Sequence, residues 1–298
     1  MTTELALGTY HCQDIPRAAA HAVTQAVSWI DTAPNYRSGR AHALLAPILA
    51  RHPETKVSTK TGFFSKAEAA AAVKAGVLTD TQANAGHSLR PEFLRWQTDR
   101  TLATLGRADT VFVHNPEHGA DDREALHEQL HQAFAILEEY AHEGRIGGYG
   151  VATWSGLQTA AFSVTKLLTI AQEAAGGHHH LRAMQLPVSL VMAKPIVTAL
   201  DSHGPLLQAR AADLEVFASS PLHGGALPGM ITQELAELVE PGHTPAQAAL
   251  RVVASTPGVT QILLGTSSPA HWDAAAHTVA LPPLPHQTLR KVIDVLAT

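Results

Sequence analysis

The amino-acid sequence predicts an α/β fold, a single-domain (β/α)8 TIM barrel over residues 1–298. Eight short, β-rich apolar segments recur along the chain, and amphipathic stretches separate most of them. Alternation of strand and helix favours parallel pairing, and 298 residues fit one such barrel. The alternative is an open, doubly wound sheet. No G-x-G-x-x-G follows the first strand, so the usual dinucleotide fingerprint of that alternative is missing.

The candidate strands follow one another at regular intervals. In chain order they are LALGT (5–9), SWIDTA (28–33), KVSTK (56–60), TVFVHN (110–115), GGYGVAT (147–153), RAMQLP (182–187), LEVFASS (214–220) and TQILLGT (260–266). The clearest helix prediction covers 122–144, where Leu126, Leu130, Phe134 and Leu137 recur at helical spacing. Gly144 supplies the stop signal of this helix.

The connection after the third strand is unusually long. Residues 61–89 separate KVSTK from the next amphipathic helix, which begins near Arg90. We expect an extra helix in the first half of this extended loop. Because the loop leaves the C-terminal end of a strand, where barrels place their active sites, it is also a candidate lid.

Composition and charge favour a small-molecule partner. The net charge of -5, without a basic block, argues against binding to nucleic acid or an anionic membrane. Cys12 is the single cysteine, so an intrachain disulfide and a thiolate zinc cluster are excluded. The N-terminus lacks a basic segment, and no apolar run reaches the roughly 18 residues of a membrane span. We therefore expect a cytoplasmic protein in a reducing compartment.

The histidine-rich run 176–180, GGHHH, raises the question of a metal site. It precedes the sixth strand and so belongs to the N-terminal face of the barrel, opposite the expected chemistry. We interpret it as a solvated turn. The chain has 19 histidines but no H-E-x-x-H or comparable ligand spacing, so no metal is predicted.

Four polar side chains lie at or just beyond the ends of three consecutive strands. Asp31 ends the second strand and Tyr36 lies in the loop beyond it, while Lys60 ends the third strand and His114 the fourth. All four are therefore expected on the face where a barrel concentrates catalytic groups. Each has a purely structural alternative, as a helix cap, packed ring, surface lysine or rim histidine. Their combination predicts a catalytic site.

These motifs resemble the aldo-keto reductase superfamily. Its pattern of D-T-A-x-x-Y, a strand-terminal lysine and a strand-terminal histidine is matched by DTAPNY, STK and VFVHNPE. The likeness extends over nearly the whole chain, through LALGTY, EEYAHEGRIGGYGVAT, SSPLHGG and TPAQAALRVVASTPGVTQILLGTSSPAHW. The resemblance implies the same barrel and a nicotinamide-dependent reduction of a carbonyl group.

The resemblance also implies a role for each of the four side chains. Reduction of a carbonyl by hydride builds negative charge on its oxygen, and Tyr36 would supply the proton. Lys60 would lower the pKa of the phenol, which is near ~10 when free. Asp31 would hold Lys60 charged and oriented, and His114 would hydrogen-bond the substrate carbonyl.

The match is incomplete where the family holds the nicotinamide ring. Ala152 and Thr153 stand where the family has Ser-Asn, whereas Gln185 matches the family glutamine. Ser219 replaces the tyrosine that stacks on the ring in many members. Thr153, Gln185 and Ser219 remain candidate cofactor residues, together with Pro221 and Leu222 of the same SSPL segment.

The adenosine end of the expected cofactor site departs further from the family. When the family pattern is aligned with GTSSPAHWDAA, Gly265 stands at the position of the family lysine and Thr266 at that of the serine. His271 stands at the position of the arginine that holds the 2′-phosphate of NADP in the family. A guanidinium suits phosphate in a way that a mostly neutral histidine does not. Backbone amides of 265–268, which includes Ser267 and Ser268, can still bind phosphate at a helix start. We expect NADPH, with NADH as the alternative.

Substrate contacts are expected from the 61–89 loop and from loops after the fourth to seventh strands. Candidate apolar walls are Phe63, Phe64, Trp154 and Leu222. The predicted function is an NAD(P)H-dependent reductase of a small-molecule aldehyde or ketone, with Tyr36 as general acid, in a specialised biosynthetic route. The alternatives are reduction of an imine or a polarised C=C bond, and a non-catalytic nicotinamide-binding regulatory subunit. The sequence names neither the substrate nor the oligomeric state.

Overall fold

Eight parallel strands close into a barrel. The computed structural model describes residues 3–120 and 122–296 of the chain. Each strand pairs with its neighbours in sequence, and β8 pairs with β1 to close the sheet. The strands are β1 (Glu4–Gly8), β2 (Trp29–Asp31), β3 (Lys56–Thr61), β4 (Thr110–His114), β5 (Tyr149–Ala152), β6 (Leu181–Pro187), β7 (Glu215–Ser219) and β8 (Gln261–Leu264). All eight fall at the predicted segments, which confirms the barrel prediction.

Helices follow the strands and pack around the barrel. They are α1 (Ile15–Thr24), α2 (Ala41–Leu49), α3 (Lys66–Lys74), α4 (Asp80–Ala83), α5 (Pro91–Leu105), α6 (Arg123–His142), α7 (Val164–Ala175), α8 (Lys194–Leu200), α9 (Pro205–Ala211), α10 (Gln233–Val239), α11 (Pro245–Ala254), α12 (Pro269–Val279) and α13 (His286–Leu296). The predicted helix 122–144 is α6: the Asp122 side chain caps it by accepting from the N–H of Ala125 at 2.8 Å. The left-handed Gly144 follows its end, with φ at 69°.

Two layers of side chains occupy the barrel interior. The lower layer is apolar and consists of Ala6, Trp29, Phe112, Ala152, Ala183, Phe217 and Leu263. Its aromatic rings meet edge to face, with Phe217 5.2 Å from Trp29 and 5.5 Å from Phe112 between ring centroids. Side chains two positions apart share one face of a strand. The upper layer therefore contains Asp31, Lys60, His114, Gln185 and Ser219, at the C-terminal ends of their strands.

The segment 61–89 folds over the barrel as a small unit of its own. It contains α3, which confirms the predicted extra helix, and the short α4. The Ser65 side chain caps α3 by accepting from the Glu68 N–H at 3.2 Å. Beneath the helices, Phe64 packs with Ala72, Leu78 and Phe93 in a separate buried cluster.

The histidine run precedes β6 on the N-terminal side of the barrel, as predicted. His178 is exposed, but Nδ1 of His180 lies 2.6 Å from Oε2 of Glu138, and its backbone N–H donates to Oε1 at 2.7 Å. Part of the predicted solvated turn is therefore held to the barrel, because α6 places a carboxylate beside His180. The part of the chain that the structure describes contains no group of three or more His, Cys, Asp and Glu side chains arranged to hold a metal.

Over the same described ranges, none of the helices combines the length and apolar character that crossing a membrane requires.

Candidate active site

A buried ion pair joins the ends of β2 and β3. Nζ of Lys60 donates to Oδ2 of Asp31 at 2.5 Å and to the carbonyl of Thr32 at 3.1 Å, and each charged residue is 2% exposed. The other carboxylate oxygen of Asp31 accepts from the hydroxyl of Ser58 at 2.8 Å. Burial lowers the pKa of Lys60, and the Asp31 charge opposes that shift. Hydrogen bonds on both partners compensate part of the desolvation cost of such a pair.

Tyr36 lies above this ion pair in a tight turn after β2. A 3-10 turn spans Tyr36–Gly39, in which Arg37 and Ser38 have φ of 52° and 55°. Left-handed backbone at non-glycine residues is strained, and such strain collects at functional sites. Nζ of Lys60 lies 5.0 Å from the centroid of the Tyr36 ring, and the His114 ring lies edge-on at 6.3 Å. The fold thus brings all four predicted side chains together.

The acidity of Tyr36 differs from our expectation. We predicted that Lys60 would lower the pKa of this phenol. Instead burial raises the pKa of Tyr36 well above its usual range, and the charges of Asp31 and Tyr10 act in the same direction. The ammonium of Lys60 lies over the ring and is paired with Asp31. Tyr36 therefore holds its proton firmly at neutral pH.

His114 ends β4 beside the same cluster. Burial, followed by the positive charge of Lys60, holds the pKa of His114 well below its usual range, so the imidazole is neutral. Its Nδ1 is buried and has no hydrogen-bond partner among the described residues, which leaves Nε2 as the ring nitrogen for a substrate. The next residue, Asn115, is left-handed with φ at 45° and donates its N–H to the carbonyl of Ala152 at 2.6 Å.

The three aromatic residues predicted to line the substrate pocket have different environments. The ring of Phe63 lies 4.9 Å from that of His114, edge to face, and so borders the site. Phe64 instead packs 5.0 Å from Phe93 in the small core under α3, because consecutive residues of extended chain point in opposite directions. The structure therefore does not place Phe64 at the site. Trp154 is 46% exposed and lines a separate apolar cavity with Pro187.

Thr153 has an intramolecular partner that the sequence did not reveal. Its hydroxyl donates to Oε1 of Glu117 at 2.7 Å and accepts from the N–H of Gly156 at 2.9 Å. The same carboxylate oxygen accepts the N–H groups of Trp154, Ser155 and Gly156 at 2.9–3.1 Å. Thr153 thus holds the turn after β5, and its hydroxyl is not free for a carboxamide. The sequence signal for this contact was Glu117 itself, a carboxylate that directly follows the His-Asn-Pro segment (114–116) at the end of β4.

The other candidate residues for binding the nicotinamide lie on β6 and at the end of β7. Gln185 is buried on β6 beside Ala152, and its side-chain amide has no hydrogen-bond partner in the described ranges. A free amide at this position fits a carboxamide group. Ser219 ends β7 and is half-buried. Of the two residues that follow in the SSPL segment, Pro221 is buried and Leu222 packs against the main core.

The loop 265–268 leads from β8 into α12. A Cβ at Gly265 would lie 2.8 Å from the carbonyl oxygen of Tyr10, so only glycine fits there. The hydroxyls hold the loop: Ser267 accepts from the N–H of Asp14 at 2.9 Å, Thr266 from Ser268 at 3.1 Å, and Ser268 from His271 at 3.4 Å. Two backbone N–H groups at the start of α12, those of Ser268 and His271, are thus donated to hydroxyls within the loop. The side chain of His271 is exposed and supplies no guanidinium.

Sequence reasoning also missed Tyr10. Its ring lies 5.0 Å from the Tyr36 ring and is 59% exposed, in the loop after β1. An aromatic residue directly after a strand end was the signal for it. The segment 61–89 contributes a second missed residue, His87, whose Nε2 lies 2.9 Å from the carbonyl oxygen of His114.

Comparisons with known proteins identify the family and the fold. The model of the aldo/keto reductase family matches residues 4–296. A glycerol dehydrogenase from Gluconobacter oxydans superposes with a TM-score of 0.71 at 20% identity, over 99% of this chain and 92% of that one. The holo form of an aldo-keto reductase from Bacillus halodurans gives 0.69 at 16% identity, over 100% and 93%. At these identities the two structures establish the fold alone. A sequence search of curated proteins finds no match.

Proposed function

We propose a function for this chain on the basis that it belongs to the aldo/keto reductase family of oxidoreductases. The chain reduces an aldehyde or ketone of a small molecule with a nicotinamide cofactor. The observation that carries this proposal is the cluster of Tyr36, the Lys60–Asp31 pair and His114 at one end of the barrel. A protein that only binds a ligand has no need of a buried charge pair beside a phenol.

Tyr36 is the proposed proton donor. Its raised pKa keeps the phenol protonated before reaction, and the proton moves only when negative charge builds up on the substrate oxygen. The phenolate that remains is then attracted by the ammonium of Lys60, 5.0 Å from the ring centroid. Asp31 keeps that ammonium charged in a buried setting by accepting its hydrogen bond.

His114 is proposed to fix the substrate carbonyl. A neutral imidazole with a proton on Nε2 donates one hydrogen bond to the carbonyl oxygen without competing for the proton of Tyr36. Two donors, the phenol and the imidazole, then converge on the oxygen at which charge develops. Phe63 and Tyr10 border the same space and favour a substrate with an apolar part next to its carbonyl.

The cofactor is proposed to be NADPH, with NADH as the alternative. A bound nicotinamide supplies the hydride, and the protein supplies its position. Gln185 would bind the carboxamide, and the backbone of 265–268 would bind a phosphate at the adenosine end of the cofactor. Support for NADPH comes from family membership, whereas the histidine at position 271 weakens the case for a 2′-phosphate.

Replacement of the proton donor tests the proposal. The purified protein is assayed with NADPH and with NADH against aldehydes, ketones and cyclic imines, and binding of each cofactor is followed by quenching of tryptophan fluorescence. In Tyr36→Phe we expect kcat to fall ~100- to 10,000-fold, the usual contribution of a general acid. The cofactor Kd is expected to remain within about twofold, because the phenol is not needed for binding.

Tyr140→Phe is the matched control, since it removes a phenol hydroxyl of α6 that donates to Oδ1 of Asp99 at 2.7 Å, away from the ion pair. It is expected to retain kcat. Full turnover in Tyr36→Phe would show that the proton donor is another group. Failure of the wild-type protein to bind either cofactor would overturn the proposed function and revive the regulatory-subunit alternative.

A further inference from the structure

His87 links the segment 61–89 to the backbone of the candidate catalytic histidine. The residue is 9% exposed, and its Nε2 lies 2.9 Å from the carbonyl oxygen of His114. A carbonyl only accepts, so Nε2 of His87 carries the proton. Its other nitrogen, Nδ1, is buried without a partner in the described part of the chain. The imidazole is therefore a neutral, single-donor group directed at one atom of the active-site strand.

Two glycines shape the space that this ring occupies. A Cβ at Gly62 would lie 3.0 Å from Nε2 of His87, and one at Gly119 would lie 3.1 Å from both Cε1 and Nδ1. Gly62 also has φ at 125°, which a side chain rarely adopts. The ring of Phe63 packs against both histidines, with its centroid 4.6 Å from that of His87 and 4.9 Å from that of His114. His87 thus lies in a fitted slot beside the catalytic cluster.

The base of the segment is held on its other side by Gln97 of α5. This residue is completely buried, and its Oε1 accepts from the N–H of Gly62 at 2.8 Å and the hydroxyl of Thr61 at 2.9 Å. Its Nε2 donates to the carbonyl of Phe63 at 2.8 Å. Backbone pairing of Phe63 with His87 joins the two ends of the segment. Residues 61–63 and 87 therefore form one fixed wall against β4.

We propose that His87 is a positioning residue for the reductase reaction, which holds the main chain of His114 and, through Phe63, the plane of the His114 imidazole. The inference rests on the proposed function, in which that imidazole orients the substrate carbonyl. Without the hydrogen bond from His87, the backbone at the end of β4 is less restrained, and the His114 imidazole can shift relative to the substrate carbonyl. A displacement of about 1 Å in such a group can lower the rate about 100-fold.

Two substitutions at this position separate hydrogen bonding from packing. His87→Leu fills the slot but removes the donor, and we expect kcat with the best carbonyl substrate to fall about 10- to 100-fold while the Kd of NADPH changes less than twofold. His87→Gln places an amide N–H near the position of Nε2 and is expected to recover kcat to within about threefold of wild type. His118→Leu is the control, because His118 also touches the ring of Phe63, at 5.7 Å, but makes no hydrogen bond to His114. It is expected to leave kcat within about twofold.

A second readout does not depend on turnover. In protein labelled with 13C at histidine Cε1, the His114 resonance is shifted by the ring current of Phe63; we expect it to move in His87→Leu and to stay in place in His87→Gln. Wild-type kcat together with an unmoved His114 resonance in a folded His87→Leu would overturn the inference. Should that variant fail to fold, His87→Asn, whose amide is too short to reach the carbonyl, gives the same comparison. A wild-type protein without turnover would overturn the proposed function, and the resonance would still decide the position of His114.

Discussion

The two interior layers of the barrel lie two residues apart on the same strands and have opposite character. On β2, Trp29 belongs to the lower layer and Asp31 to the upper one, and on β4 Phe112 is followed in the same way by His114. The lower layer is a buried apolar cluster. The upper layer contains a buried ammonium, a buried carboxylate and a neutral imidazole.

The difference shows which layer contributes stability and which contributes chemistry. Removal of apolar surface from water stabilises the lower layer by roughly 25 cal/mol per Å². A buried ion pair is a weak source of stability, because desolvation offsets most of the attraction between its charges. The Lys60–Asp31 pair therefore needs a reason beyond folding, and the phenol of Tyr36 beside it supplies one.

The largest expected effect comes from breaking that pair. Lys60→Met leaves the Asp31 carboxylate buried without its partner, and we expect the free energy of unfolding to fall by about 3–5 kcal/mol. The double variant Asp31→Leu/Lys60→Met turns this part of the upper layer into an apolar one. It is expected to regain most of the lost stability and to have no measurable turnover. Urea denaturation and steady-state assays measure the two quantities.

Phe217→Leu in the lower layer is the counterpart of this experiment. A smaller side chain in this apolar cluster is expected to lower the unfolding free energy by about 1–2 kcal/mol and to leave kcat within about threefold. If the double variant kept turnover, or if Phe217→Leu abolished it without unfolding, the division of roles between the layers would be wrong.

The sequence was sufficient to predict the barrel and to place the C-terminal ends of the strands to within two residues. Runs such as TVFVHN combine β-branched and aromatic residues with a polar terminus, and this local pattern was enough to place His114 at the end of β4. The ends of helices could also be predicted from local residues, as Gly144 after the end of α6 illustrates. The meeting of Asp31, Lys60 and His114 then followed from parallel pairing, since the ends of neighbouring strands share one edge.

Partners that are distant along the chain were not predictable in this way. Glu117 reaches the turn after β5, 36 residues on from it, and His87 reaches a carbonyl 27 residues away. No spacing rule connects such residues, because loop paths in three dimensions decide the contacts. The direction of the Tyr36 pKa was missed for a related reason: Lys60 could be predicted as a neighbour from the strand ends, but the burial of the phenol and the position of the ammonium over its ring could not.

A smaller effect is expected just outside the upper layer, at His42 of α2. Its Nε2 lies 3.0 Å from the hydroxyl of Thr59, next to Lys60 in the chain, and burial followed by the charge of Lys60 lowers the pKa of His42 to about 3. In the unfolded chain the pKa is about 6.5, so the unfolded state binds the proton first as pH falls. Stability from this group is complete above about pH 6.5 and decreases toward pH 3.

For each unit by which the pH falls in this window, the free energy of unfolding decreases by about 1.4 kcal/mol, which gives a loss of about 2 kcal/mol between pH 6.5 and pH 5. Chemical denaturation at several pH values is expected to show this slope in wild type and a flatter one in His42→Gln. His178→Gln, at an exposed histidine, is expected to leave the slope unchanged. Equal slopes in wild type and in His42→Gln would mean that His42 titrates normally in the folded protein.

The smallest expected effect tests whether cofactor selectivity lies outside both layers. His271 is exposed in the first turn of α12, beyond the barrel, where the family pattern has an arginine. His271→Arg adds a guanidinium that can bind a 2′-phosphate, and we expect the Kd of NADPH to tighten about tenfold, or ~1.4 kcal/mol, with that of NADH unchanged. His277→Arg places the same charge at the other end of α12 and is expected to change neither Kd. Because neither substitution touches the interior, kcat and the free energy of unfolding are expected to stay at wild-type values. An unchanged ratio of NADPH to NADH affinity in His271→Arg would show that the adenosine end of the cofactor does not lie against this turn of α12.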